Sequence, residues 1–166
     1  GCDPQLKQTV RELGTWIGTS GNSLVYGGSK TGLMGELASA ALEAGAEVTG
    51  VEPQFFVDHV LQLEGLTRLI VTPDIAQRKA KMIELGDAFV AFPGGTGTLE
   101  EISQIMSMIG LGQLDAPCVF YNLNGYYNPM AEQLDRMLAC DLTSPERLQG
   151  ISFARNLDEL VACLQA

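Results

Sequence analysis

The chain has 166 residues, with 10 basic against 20 acidic side chains and a formal net charge of −10. Hydrophobic residues make up 46 % and charged ones 18 %, which excludes a disordered chain, and no apolar run approaches the roughly 18 residues of a membrane span. The length fits a single domain, and Lys and Arg scattered singly or in pairs argue against a sequence-independent grip on nucleic acid, though not against a small anionic ligand.

Asp3-Pro4 reads as a cap and first helical residue, followed by Leu6, Val10, Leu13 and Ile17 at helical spacing. Ser23 to Tyr26 is a short buried-strand pattern ending in Gly27-Gly28. Leu33 to Ala44 is an Ala- and Leu-rich helix stopped by Gly45, and Glu47 to Val51 is the next strand. Residues 53 to 66 are ambiguous, with a short helix expected around Val57 to Leu63. Arg68 to Val71 returns to strand, and Pro73-Asp74 opens a helix to about Gly86.

Ala88 to Phe92 is a continuous apolar run, Thr98 to Ile109 a helix and Cys118 to Tyr121 a strand. Asn128-Pro129 reads as the cap and start of a helix reaching Cys140. Ser144-Pro145 opens a short helical piece, Ile151 to Ala154 forms the last strand, and Asn156 caps a C-terminal helix. Apolar strands alternating with amphipathic helices predict an α/β, doubly wound parallel sheet of about six strands with helices on both faces, in one domain over residues 1–166. Such a fold usually opens on a strand, so the first strand is expected to be missing from the chain as given.

Four cysteines, at positions 2, 118, 140 and 163, show no CxxC spacing, and the single histidine, His59, excludes an HExxH site. Neither a metal site nor a dense disulfide framework is expected, and a cytoplasmic setting fits. His59 reads as structural. Acid–base chemistry therefore falls to carboxylates, Arg or Lys.

Nineteen of the residues are glycine, about 11 % against an ordinary share near 7 %. One cluster is Gly27, Gly28, Gly32 and Gly35; the other is Gly94, Gly95 and Gly97. Each follows a strand pattern and precedes a helix, where open parallel sheets collect ligands on backbone N–H groups. The first cluster is no P-loop, because Leu33-Met34 stands where Lys and Ser or Thr must be. In the second, Glu100 replaces the third glycine of a dinucleotide fingerprint, where a carboxylate would oppose a pyrophosphate. Either cluster also reads as a plain tight turn. Thr98-Leu99-Glu100-Glu101 matches a T-x-x-E capping box, so Glu101 is either a cap or a catalytic carboxylate. Arg78-Lys79 is either a solvated face or, if Arg78 points across the strand ends, a group for a phosphate or a ribose hydroxyl.

The run Pro93-Gly94-Gly95-Thr96-Gly97-Thr98-Leu99-Glu100-Glu101 matches the signature P-G-G-x-G-T-x-x-E, with Arg78-Lys79 fifteen residues upstream. Together with Val25-Tyr26-Gly27-Gly28, Gly32-Leu33-Met34-Gly35, Asp87-Ala88-Phe89-Val90-Ala91 and Asn124-Gly125-Tyr126-Tyr127-Asn128, it resembles the LOG family of cytokinin riboside 5′-monophosphate phosphoribohydrolases, often mislabelled lysine decarboxylases. The resemblance implies a Rossmann-like homodimer that hydrolyses the N-glycosidic bond of purine nucleoside 5′-monophosphates, with no metal or organic cofactor and no nucleic-acid or membrane partner. It also implies the site residues. Arg78 and Glu101 correspond to the essential pair. Gly94, Gly95, Thr96, Gly97 and Thr98 line the phosphate and ribose site, with Lys79, Glu100, Ser107 and Gly28 as further substrate-binding residues.

Two departures stand out. Ile75-Ala76 replaces the Met-His that often precedes x-Arg-Lys, and Gly50-Val51-Glu52-Pro53 carries an acid where relatives commonly have isoleucine, near the expected base pocket. The alternative on the same fold is a non-catalytic carrier of a nucleotide or of the molybdenum cofactor, a pterin. Nothing marks a pyridoxal site, so lysine decarboxylation is not expected.

Overall fold

The computed structural model describes residues 3–166; Gly1 and Cys2, the first of the four cysteines, lie outside the described residues. The chain divides into two compact units, one ending at Gly86 and one starting at Asp87.

The first unit runs α1 (Pro4–Thr19), β1 (Leu24–Tyr26), α2 (Gly32–Glu43), β2 (Val48–Pro53), α3 (Gln54–Asp58), β3 (Arg68–Thr72) and α4 (Ile75–Leu85). Its strands form a parallel sheet in the order β1-β2-β3, with Tyr26 beside Gly50 and Pro53 beside Thr72. Parallel register puts all three strands' carboxyl ends at one edge, where the loops to α2, α3 and α4 begin. Tyr26, Ala38, Ala41, Ala46 and Val48 form one cluster of its buried core. Asp3 caps α1 by accepting from the Gln5 amide at 2.9 Å, and Asp74 caps α4 by accepting from Gln77 at 2.8 Å.

The second unit runs β4 (Phe89–Ala91), α5 (Thr96–Gly110), β5 (Cys118–Tyr121), α6 (Asn128–Ala139), β6 (Ile151–Ala154) and α7 (Leu157–Gln165), with 3₁₀ turns at Leu123–Gly125 and Glu146–Leu148. Its sheet is again parallel, in the order β4-β5-β6. Every residue of the central strand β5 is buried, as expected for a strand covered on both faces. Phe120 stacks on Phe153 at 4.9 Å and meets the edge of Tyr127 at 5.0 Å. Asn156 caps α7 through the Glu159 amide at 2.9 Å.

All six expected strands form. The short helix expected around Val57 to Leu63 lies earlier, at Gln54–Asp58, because Pro53 ends β2 and the chain turns at once. Asn128 is the first residue of α6 rather than its cap; Tyr127 holds the cap position, and the Asn128 side chain accepts from Asn122 Nδ2 at 2.8 Å instead. Among the described residues no helix is long and apolar enough to cross a membrane.

Candidate functional site

In the first unit, two consecutive glycines end β1 beneath two charged side chains. A Cβ at Gly27 would overlap the Arg78 guanidinium, and a Cβ at Gly28 would overlap Glu52 Cγ; Gly28 also has φ of +86°, a region L residues avoid. The Gly27-Gly28 pair is therefore explained by packing within the unit. Arg78 reaches this place from α4 and donates from Nη2 to the Gly27 carbonyl at 3.3 Å. Its guanidinium is partly buried at the strand ends, so the solvated-face reading does not apply to Arg78. Lys79, the next residue, is half-buried.

Glu52, at the end of β2, is 1 % exposed, and its Oε2 has no hydrogen-bond partner; Arg78 Nε is buried and unpartnered as well. Burial pushes the Glu52 carboxyl above the usual carboxylate range, and the charge of Arg78 draws it partly back. Burial, with the Glu52 charge adding to it, likewise raises the Tyr26 phenol.

Beside this pair lies an apolar cleft of about 470 Å³, lined by Pro53, Phe55, Phe56, Pro73, Ile75 and Ala76, with Asp74 at its polar edge. Phe55 is 64 % exposed and Ile75 56 %. The His59 ring packs on Phe55 at 4.5 Å, and its Nδ1 lies 2.6 Å from the Phe55 carbonyl oxygen. Pro53 follows Glu52 directly, and Ile75 and Arg78 are three apart on α4 and share a face, so the cleft adjoins the charged pair.

In the second unit, the signature run forms the turn from β4 into α5. The helix starts at Thr96 with Gly95 at its cap, and no side chain caps it. Thr98 thus sits inside the first turn, and the capping-box reading of Glu101 fails: that motif needs its Thr outside the helix. Glu101 is half-buried one turn beyond Gly97, while Glu100 is exposed. The glycines of this run differ among themselves. Gly94 packs against the Thr98 side chain, whereas a Cβ on Gly95 or Gly97 would meet nothing within 4 Å. Neither has a positive φ. Internal packing and backbone conformation therefore leave both glycines unexplained, and their bare surface surrounds an uncapped helix N-terminus.

This loop is held from behind by residues the sequence reading did not assign a role. Tyr126 donates to the Gly94 carbonyl at 2.6 Å, and Tyr127 donates to the Phe92 carbonyl at 2.8 Å. Asn122 Oδ1 accepts from the Tyr127 amide at 2.6 Å, and the two tyrosine rings meet edge to face. A pair of adjacent tyrosines after a buried strand was the available signal. Ser107 is exposed and lies about 16 Å further along α5 than Thr96, so the helix carries it away from the loop.

The structure thus brings Gly28 and Arg78 together in the first unit, and Gly94 to Thr98 with Glu100 and Glu101 in the second. A family described as "Possible lysine decarboxylase" matches residues 34–164. The chain is 38 % identical over 160 residues to a cytokinin riboside 5′-monophosphate phosphoribohydrolase of Rhodococcoides fascians, spanning 96 % of this chain and 81 % of that protein. It is 36 % identical over 159 residues to one from Arabidopsis thaliana, spanning 96 % and 75 %. Among solved structures, the molybdenum cofactor carrier protein of Chlamydomonas reinhardtii aligns with a TM-score of 0.71 at 22 % identity, over 99 % of this chain and 89 % of that one. The molybdenum cofactor binding protein of Rippkaea orientalis aligns with a TM-score of 0.71 at 18 % identity, over 99 % and 88 %. At such identities the likeness establishes the Rossmann-like fold alone.

Proposed function

The chain belongs to the family described as possible lysine decarboxylases, whose curated relatives are named phosphoribohydrolases, and from that premise we propose that it hydrolyses the N-glycosidic bond of purine nucleoside 5′-monophosphates. The observation that carries this reading is the bare surface at Gly95 and Gly97 around the uncapped start of α5. A helix N-terminus offers backbone N–H groups and a partial positive charge, which suits a phosphate. Thr96 and Thr98 add hydroxyl groups to it.

In the proposed reaction the bond from the ribose C1′ to the base nitrogen breaks, and its electron pair leaves with the base, which takes up a proton. Positive charge builds on the ribose. The Glu101 carboxylate stabilises or captures that cation, and water then supplies the hydroxyl that completes ribose 5-phosphate. Arg78 serves as the cationic partner for the nucleotide's oxygens.

Incubating the protein with AMP and with its N6-prenylated analogue, and following the free base by chromatography, tests the reading. Release of base with equimolar ribose 5-phosphate supports it. Tight nucleotide binding without release from either compound would favour the carrier alternative. The homodimer implied by the resemblance is a further proposal, and light scattering in solution reads it directly.

A further inference from the structure

Two of the unpartnered buried atoms of the first unit, Glu52 Oε2 and Arg78 Nε, belong to side chains packed over the same pair of glycines. Arg78 covers Gly27 and Glu52 covers Gly28, and consecutive Cα atoms are only about 3.8 Å apart, so guanidinium and carboxyl are neighbours over one dipeptide. Arg78 Nε and Glu52 Oε2 are nevertheless each unpaired. A carboxyl taken out of water without full hydrogen bonding destabilises a fold, and an apolar side chain of similar volume would fill the same space at less cost. Packing alone therefore gives no reason for an acid at this position.

We propose that Glu52 is a positioning residue for Arg78: its buried carboxylate holds the guanidinium over Gly27, at the carboxyl ends of β1 and β2, in the orientation that serves the nucleotide. Three contacts argue for it. The Arg78 Nη2 bond to the Gly27 carbonyl is long, at 3.3 Å, and is a weak anchor by itself. The Glu52 stem lies against a glycine whose positive φ and missing side chain together make room for it. The electrostatic attraction between the two side chains supplies the directing force. The role of Arg78 in turnover rests on the function proposed above; the pairing itself does not.

The test uses the full chain carrying Glu52→Gln, Glu52→Asp, Arg78→Lys and the double variant Glu52→Gln/Arg78→Lys. With AMP as substrate, Glu52→Gln is expected to lower kcat about tenfold with little change in KM, a loss confined to the transition state. Glu52→Asp restores part of the loss, and Glu52→Gln has no added effect once Arg78 is lysine, because a residue acting through another is not additive with it. Wild-type kinetics in Glu52→Gln, or losses that multiply in the double variant, would overturn the proposal.

A second readout is independent of turnover. The Arg78 side-chain Nε–H resonance, assigned by its disappearance in Arg78→Lys, should shift in Glu52→Gln, because the charge beside the guanidinium is gone. An Nε–H signal unaltered by Glu52→Gln refutes the pairing even if the protein cleaves AMP. A signal that does respond, in a protein that releases no base, upholds the pairing and refutes the proposed activity instead.

Discussion

The hydroxyl of Tyr126 donates a 2.6 Å hydrogen bond to the carbonyl of Gly94, tying the start of α6 to the turn that opens α5. The bond restrains a loop whose own glycines give it no side-chain packing at Gly95 or Gly97. Tyr126 itself is 51 % exposed, so water can replace the lost partner. Tyr126→Phe should therefore cost at most about 1 kcal/mol of stability while lowering kcat/KM several-fold. Thermal melts beside base-release kinetics check this; a large loss of Tm with unchanged kinetics would make the tyrosine purely structural.

Gly97 separates ligand space from fold requirements. A Cβ there meets nothing within 4 Å, and the position lies in the first turn of α5. Gly97→Ala should leave stability unchanged or raise it by up to about 1 kcal/mol of helix preference, yet abolish nucleotide binding measured by calorimetry with AMP. Undiminished binding in this variant would take the phosphate away from the loop.

Gly28 should behave in the opposite way. Its φ of +86° and its contact with the Glu52 stem both oppose a side chain, so Gly28→Ala should destabilise by more than about 1 kcal/mol. For a chain of this size that is a fall in Tm of a few degrees, readable by calorimetry. Combining it with Glu52→Ala should recover part of the loss, because the steric conflict goes while the backbone strain stays.

Much of this was legible in the sequence. The alternation of apolar strands with capped helices located all six strands, and Asp3, Asp74 and Asn156 cap helices as side chains of that type should. The capping-box alternative at Thr98 falls away because the motif is blind to where the helix begins: α5 starts two residues earlier, at Thr96. Glu52 stands out in sequence as an acid where relatives commonly have isoleucine, but its burial beside Arg78 depends on parallel register and on two glycines far away in sequence. The Tyr126 clamp spans 32 residues, a separation no local pattern encodes.

The Lys7–Glu36–Arg11 cluster between α1 and α2 gives a pH dependence with a definite sign. Glu36 lies 2.7 Å from Lys7 and 3.0 Å from Arg11, and their hydrogen bonds, Lys7 first, hold its carboxyl below the ordinary value of 4.5. A group depressed in the folded state stabilises above its unfolded pKa and loses that contribution as pH falls through its folded value. Glu36→Gln should thus lower Tm at neutral pH, and the gap to wild type should close as the pH drops below about 4. Melts across that range decide it, and a gap independent of pH would mean the loss is one of packing.

The thiols should divide by burial. Cys118 is buried in β5, which pushes its pKa up to about 12, whereas Cys140 is exposed at the end of α6. A thiol-reactive disulfide reagent at neutral pH should label Cys140 readily and Cys118 only on unfolding, as peptide mass spectrometry would report.

The central claim is that this chain cleaves nucleoside 5′-monophosphates with Glu101 at the reacting sugar. The most direct measurement is release of free base from AMP and from N6-prenylated AMP by the wild-type chain and by Glu101→Ala at matched Tm. The wild type should release base and ribose 5-phosphate in equal amounts, and the variant should lose at least about a hundredfold in kcat. Base release that persists in Glu101→Ala would contradict the assigned carboxylate, and no release from either nucleotide by the wild type would contradict the function.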